Sequence, residues 1–197
     1  MAIARAGIKK LLPEGIELIS GPGCPVCVTS QEDIDRVVKI AALKDVIITT
    51  FGDMMRVPGS TMSLDQARRQ GADVRVVYSC MDSLDIAERN LSKRIVFMGV
   101  GFETTSPTIA ATVLEAKRRK TRNFFILANF KVLFPALELL ASSDRIKVDG
   151  FICPGHVSVI TGSDFKPAAV KPTIRNVPKR MLHVPRVTLF VAACRRL

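Results

Sequence analysis

Two cysteines separated by two residues, Cys24 and Cys27, lie in the stretch GPGCPVCVTS, shortly before a predicted helix. Such a pair can close a disulfide, supply two soft ligands to a metal ion, or belong to a buried structural turn. A helix N-terminus stabilises a nearby thiolate through its partial positive charge, and Ser30 followed by Asp33 predicts such an N-terminus just after the pair. The pattern favours functional thiols and leaves redox chemistry and metal binding both open.

Two further residues that could do chemistry follow predicted strands. Glu103 lies in GFETT, where a carboxylate at the mouth of a crevice can carry a proton or orient a ligand. His156 lies in PGHVS at the end of another predicted strand, which makes it a candidate site residue as well. Gly99 and Gly101 begin like a dinucleotide-binding fingerprint, but Thr104 stands where its last glycine belongs, so a tight strand-to-helix turn explains them equally well.

The other cysteines do not complete a zinc finger or zinc ribbon, because those sites need a second close pair. Cys194 stands alone near the C-terminus. Cys80, Cys153 and His183 are interpreted as structural or incidental residues. Arg56 either holds an anion or is simply solvated.

Six short, mostly apolar runs alternate with amphipathic helical stretches. The predicted strands are Ile16–Ser20, Val46–Phe51, Val74–Ser79, Ile95–Val100, Asn123–Asn129 and Val148–Cys153. Continuous apolar runs of this kind are typical of parallel strands that are buried on both faces. We therefore predict an α/β fold of parallel βαβ units, arranged as two small related domains over residues 1–92 and 93–162.

The ends of these strands carry the unusual residues. Ligands bind α/β sheets in the crevice beyond the carboxyl ends of the strands, so five strand-end loops are expected to converge on one edge. Helices are predicted to start at Ser30, at Ser63 with Gln66 three residues later, and at Ser106 followed by Pro107 in the first helical position.

The composition of the chain excludes several classes of protein. With 197 residues, 48% of them hydrophobic, the chain can bury a sizeable core. Its longest apolar runs fall far short of the roughly 20 residues that a membrane span needs, and no signal segment opens it. Five cysteines, an odd number, do not form the even framework of a small secreted domain. These features predict a soluble cytoplasmic protein with reduced thiols.

The net charge of +11 is concentrated near the C-terminus. Residues 163–197 hold eight Lys or Arg against one acid, which accounts for +7 of the total, and they also contain four prolines. This segment has neither helical nor strand periodicity, so we expect an irregular, disordered tail. A nucleic-acid-binding arm is not favoured, because no binding motif or interleaved aromatic residues accompany the charge.

Five stretches in this order resemble the hydrogenase formation protein HypD family over about residues 4–162. They are GPGCPVCVTS, TFGDMMRVPGS, GADVRVVYS, GFETTSPT and PGHVSVITG. The resemblance implies an iron-carrying scaffold for assembly of the Fe(CN)2CO group of [NiFe]-hydrogenases, rather than a turnover enzyme. It also implies two partners, a HypC-type small chaperone and a HypE-type protein that donates cyanide.

The same resemblance implies roles for individual residues. Cys24 and Cys27 match the family's essential cysteine pair and are implied iron ligands, while Glu103 and His156 match its GFETT and PGH residues. Family members also carry a Cys-Gly-x-His segment upstream and a four-cysteine [4Fe–4S] region downstream. Neither is found here, so we expect an incomplete fragment without the cluster. A thiol–disulfide oxidoreductase that uses Cys24 and Cys27 is the alternative, and an inert remnant is the third possibility.

Overall fold

A computed structural model describes residues 5–14, 16–21, 23–143, 145, 150–152, 157, 159 and 192–196. The chain divides into two compact units, each considered by itself below. The terminal unit combines Met1–Cys24 with Val132–Leu197, and the central unit is Pro25–Lys131.

Strands and helices alternate along the described part of the chain. The strands are β1 Ile16–Ser20, β2 Val46–Thr50, β3 Val74–Val76, β4 Arg94–Gly101, β5 Phe124–Phe130, β6 Gly150–Ile152 and β7 Ala192–Arg196. The α-helices are α1 Gln31–Ala41, α2 Leu64–Arg69, α3 Asp82–Arg89, α4 Ser106–Arg119 and α5 Leu133–Ser142. Two 3₁₀ helices cover Ile8–Lys10 and Gly52–Arg56. None of the helices that can be described is long and apolar enough to cross a membrane.

The central unit is built on a four-stranded sheet in the order β3-β2-β4-β5, and every neighbouring pair is parallel. Thr49 of β2 lies opposite Phe97 of β4, and Val100 of β4 lies opposite Asn129 of β5. The prediction of parallel βαβ units is confirmed for these four strands. Because they run in the same direction, the loops that follow them begin at one edge of the sheet.

Helices cover both faces of this sheet. On one face, Ile34 and Val37 of α1 and Leu64 of α2 pack against Ile48 and Met98. On the other face, Ile109 of α4 packs against Phe97, and Ala87 of α3 against Ile47 and Ile95. Burial on both faces explains why these strands are continuous apolar runs rather than alternating ones.

Side-chain caps begin two helices at the predicted residues, and a third helix begins one residue away from its prediction. Ser30 is the N-cap of α1, and its Oγ accepts a hydrogen bond from the backbone N of Asp33 at 3.2 Å. Ser63 and Gln66 form a reciprocal capping box at α2, with bonds of 3.3 and 2.8 Å. The prediction for α4 is displaced by one residue: Ser106 is its first helical residue, and the preceding Thr105 is the N-cap.

The terminal unit contains an antiparallel sheet, in the order β1-β7-β6. Both β1 and β6 were expected to pair in parallel with their neighbours, and this is wrong, because each of them pairs antiparallel with β7. The strand β7 falls in the segment predicted to be an irregular tail, while residues 160–191 lie outside the described residues. Elsewhere in this unit, Leu133 of α5 packs with Val157.

The structure does not divide at the predicted domain boundary near Lys93. That boundary would separate β2 from β4, and these two strands are hydrogen-bonded neighbours in the sheet. A similar strand–helix rhythm before and after Lys93 suggested two domains, but rhythm does not specify which strands pair.

Candidate functional site

The carboxyl edge of the central sheet is the natural place for a site in this unit. From β2 the chain moves outward to β3, whereas from β4 it moves the other way to β5. The strand order therefore reverses between β2 and β4, and the loops after these two strands diverge there. Crevices at such reversals are where α/β sheets bind ligands.

The Cys27 turn, Pro25–Thr29, precedes α1 and is held at both ends. The Thr29 hydroxyl donates to the carbonyl of Pro25 at 2.9 Å, and the Thr29 backbone N donates to the carbonyl of Val26 at 3.3 Å. The Val26 side chain packs against the hydrophobic core. Cys27 is exposed, and Cys24, at the end of the terminal unit, is partly exposed. An anchored turn thus presents the Cys27 thiol to solvent.

Lys131 links the first turn of α1 to the end of β4, just before Glu103. Its Nζ lies 3.5 Å from Oδ2 of Asp33 in the first turn of α1. Its backbone N donates to the carbonyl of Gly101 at 2.9 Å. The N-terminus of α1, with Cys27 just before it, therefore lies at the same edge of the sheet as the loop after β4.

The Glu103 turn, Phe102–Thr105, is a tight reversal between β4 and α4. The backbone N atoms of Thr105 and Ser106 both donate to the carbonyl of Phe102, at 3.0 and 3.3 Å, and Phe102 itself is buried. Oε2 of Glu103 is buried as well. A carboxylate oxygen held in this way can orient a ligand or transfer a proton.

The glycines before this turn are explained by packing. A Cβ at Gly99 would lie 2.8 Å from the Phe130 ring, and one at Gly101 would overlap the side chain of Thr105. Little room is left for a larger residue at either position, and the tight-turn interpretation explains both glycines without a bound dinucleotide.

The loop after β2 is clamped onto α1. Oδ1 of Asp35 accepts a hydrogen bond from the backbone N of Ser60 at 2.8 Å, and hydrogen bonding by Ser60 holds the pKa of Asp35 below its ordinary value. A Cβ at Gly59 would lie 2.5 Å from the same carboxylate oxygen. Arg56 is exposed and makes no ion pair with any residue that the structure describes.

Two residues that sequence analysis did not single out lie at the ends of β2 and β5. Thr50 is 0% exposed and Asn129 is 6% exposed, and neither Oγ1 of Thr50 nor Nδ2 of Asn129 has a hydrogen-bond partner within the described structure. An unsatisfied buried polar group costs about 1–3 kcal/mol, so such groups are candidates for ligand contacts. The sequence did carry a signal for these two residues, because each is a polar residue at or near the end of a mostly apolar strand.

Cys80 was interpreted as structural, and its surroundings confirm this. It is buried against Val77, Phe97 and Ile109. Burial raises the pKa of its thiol to about 11, against a smaller opposing effect of a hydrogen bond with Thr112. A thiol with this pKa is protonated at neutral pH and is a poor nucleophile.

We expect iodoacetamide to modify Cys27 at pH 8 at least about 100-fold faster than Cys80, because burial slows access and the raised pKa suppresses the reactive thiolate. Quantitative mass spectrometry of the cysteine peptides measures both rates. In denaturant the two rates should converge. Equal rates in the folded protein would contradict the buried environment of Cys80.

The structure brings together only part of the predicted site. Cys27 and Glu103 belong to the central unit and Cys24 to the terminal unit, while His156 lies outside the described residues. Within the described part of the chain, no group of three or more His, Cys, Asp or Glu is arranged to hold a metal ion. Iron binding by Cys24 and Cys27 stays a prediction.

Comparison with known proteins places this arrangement in a family. The model of the HypD family, described as the hydrogenase formation hypA family, matches residues 1–175. The chain therefore belongs to the HypD family. The match runs beyond residue 162, where the resemblance seen in the sequence motifs ends.

Curated HypD proteins are similar over most of this chain. A hydrogenase maturation factor HypD of Escherichia coli (strain K12) is 49% identical over 163 residues, which cover 83% of this chain and 44% of that protein. The HypD of Rhodobacter capsulatus is 46% identical over 82% of this chain and 43% of its own length. A putative hydrogenase expression/formation protein of Methanocaldococcus jannaschii is 46% identical over 81% and 44%. The chain thus spans less than half the length of these relatives.

Proposed function

We propose that this chain acts in hydrogenase maturation, as a scaffold that presents iron while the Fe(CN)2CO group is assembled. In this proposal Cys24 and Cys27 hold the iron, which is the cargo of the reaction. The observation that carries the proposal is the Cys27 thiol, exposed on an anchored turn beside the helix start at the carboxyl edge of the sheet. The names of the HypD relatives support the process to which we assign it.

Thiolates suit this cargo because they are soft ligands that bind iron well. A pair of thiolates fills only part of the coordination sphere of an iron ion, which leaves positions for incoming diatomic ligands. The partial positive charge at the N-terminus of α1 also favours the thiolate form of a cysteine close to it.

Glu103 and His156 are assigned supporting roles in the proposal. Glu103 would carry a proton or orient a ligand from its turn after β4, and His156 would act from the PGH loop. The proposed partners are a HypC-type chaperone and a HypE-type protein that donates cyanide, and the proposed location is the cytoplasm.

Iron binding tests this role directly. We expect the reduced chain to bind Fe(II) under anaerobic conditions, and Cys24→Ser and Cys27→Ser to weaken binding at least about tenfold, because each removes a thiolate ligand. The matched control is Cys80→Ser, which removes a buried thiol away from the proposed ligands and should bind as the original chain does. Unchanged binding in both site variants would reject the iron-scaffold proposal.

The alternative is a thiol–disulfide oxidoreductase, favoured by the same exposed thiol before a helix start. It predicts that the chain reduces a disulfide substrate such as insulin at a rate that depends on both Cys24 and Cys27 and not on iron. Turnover of insulin without bound iron would favour the alternative. Iron binding without turnover would favour the scaffold.

A further inference from the structure

A groove of about 440 Å³ lies at the amino edge of the central sheet, opposite the edge that carries Cys27 and Glu103. It is formed by the residues after α3, the start of β4, the end of α4 and the connection into β5. We call it the basic groove, and its principal residues are Leu91, Arg94, Arg119, Lys120, Arg122 and Phe125.

Two of its four cations are already compensated within the structure. Arg119 contacts Glu115 at 2.7 Å and Asp85 at 3.0 Å. It also lies 3.4 Å from Glu88, an acid that itself lines the groove. Arg94 pairs with Asp45 at 2.8 Å. These guanidinium groups are held in place and neutralised, so they shape the groove more than they attract a partner.

The other two cations, Lys120 and Arg122, make no ion pair with any residue in the described ranges. They flank Thr121, whose Oγ1 is buried and likewise finds no hydrogen-bond partner there. Lys120 has a left-handed backbone, with φ of 59°, at the end of α4. Two uncompensated positive charges therefore lie side by side on the connection between α4 and β5.

Apolar side chains lie beside this charge. Leu91 is 81% exposed and Phe125 is 47% exposed. Covering apolar surface of this kind stabilises a complex, because it removes that surface from water. A partner that only supplied phosphates would leave both side chains uncovered, whereas an acidic protein segment with an apolar residue would satisfy the charge and the apolar surface together.

Side-chain hydrogen bonds brace the wall of the groove. Nδ2 of Asn123 donates toward the carbonyls of Ala87, Asn90 and Lys93, at 3.0, 3.1 and 3.0 Å. These contacts fasten the connection between α3 and β4 to the start of β5. A preformed surface binds with a smaller entropy cost than one that must order itself.

We propose that the basic groove is a docking site for an acidic protein segment that carries an apolar side chain. Lys120 and Arg122 would pair with its carboxylates, and Leu91 and Phe125 would cover its apolar side chain. The site is separate from Cys27, because the eight residues of β4 span about 26 Å between the two edges of the sheet. A partner could dock here while the carboxyl edge stays open.

The test uses the full chain and a short fluorescent peptide rich in Glu with a central Leu. Fluorescence anisotropy at physiological salt measures its affinity. The double variant Lys120→Asn/Arg122→Gln should bind at least about tenfold more weakly, since two ion pairs are lost. Asn suits position 120 because it tolerates a left-handed backbone. Leu91→Ala should weaken binding about fivefold through lost apolar contact.

Matched variants separate the groove from general charge. Lys39→Gln/Lys117→Gln removes the same charge from two exposed lysines that lie outside the groove and also make no ion pair within the described ranges, and Leu114→Ala truncates an exposed leucine elsewhere on α4. Both should change the affinity less than about twofold. Equal losses in the groove and control variants would overturn the proposal, as would competition by ATP or an RNA oligonucleotide at lower concentration than the unlabelled peptide.

Discussion

Replacing the residue aligned with Cys24 or Cys27 by Ser in the Escherichia coli relative is expected to lower hydrogenase maturation at least about 100-fold. Each substitution removes a proposed iron ligand. Even mutation of a residue that only hydrogen-bonds to a metal ligand lowers metal affinity or activity about 10- to 100-fold. Hydrogenase activity in cells that lack their own copy of the gene measures the effect. Serine is nearly isosteric with cysteine, and Cys27 is exposed, so the fold should survive.

The control for this prediction is a change between the two cysteines that leaves both thiols in place. Replacing the residue aligned with Pro25 by Ala keeps the backbone carbonyl to which Thr29 donates. This variant should retain most of the activity. Immunoblots must show similar amounts of all variants, because loss of the protein would imitate loss of the site. Full activity in either serine variant would show that the pair is not required.

The central sheet could be predicted because its strands carry their own signal. β2 and β4 are continuous apolar runs with helices on both faces, and that composition distinguishes a parallel interior from an exposed sheet. The starts of α1 and α2 could be predicted equally well. The side chains of Ser30 and Ser63 each accept a hydrogen bond from the backbone N of the residue three positions later, which is a local capping pattern. Such local rules are independent of the remaining chain.

The antiparallel sheet could not be predicted from the sequence by these local rules. Its central strand β7 ends in Arg195 and Arg196 and lies in a segment rich in basic residues and prolines, which masked the mostly apolar run VTLFVAAC that leads through it. Its pairing with β1 joins residues that are about as far apart as the chain allows. Pairing of that kind depends on tertiary contacts that periodicity does not record.

The arrangement of the candidate site was predictable only in outline. The rule that loops gather at the carboxyl ends of parallel strands correctly placed the loops after β2, β3 and β4 on one edge. The contact between Lys131 and Asp33 joins residues that are 98 positions apart in the sequence, so no local sequence pattern predicts it. The buried polar atoms of Thr50 and Asn129 were missed because strand propensity describes the whole run rather than single polar residues at or near its end.

Gly101→Ala is the second substitution with a large expected effect, a destabilisation of about 2–3 kcal/mol. A Cβ at this position would lie 2.5 Å from Oγ1 and 2.9 Å from Cγ2 of Thr105. The carbonyl of Gly101 also accepts the hydrogen bond from Lys131, so a shift of this strand end would disturb the link to α1. The free energy of unfolding from urea titration measures the loss.

A second change should rescue this variant if the overlap is its cause. Thr105→Gly removes the three atoms nearest to the new Cβ, and glycine is acceptable at the N-cap of α4. The double variant should therefore be more stable than Gly101→Ala alone, a non-additivity expected of residues in contact. Gly52→Ala is the control, because its Cβ would meet only Val76, at an ordinary 3.4 Å. If Gly101→Ala proves as stable as Gly52→Ala, the turn that carries Glu103 is free to move, and a fixed position for its carboxylate cannot be part of the mechanism.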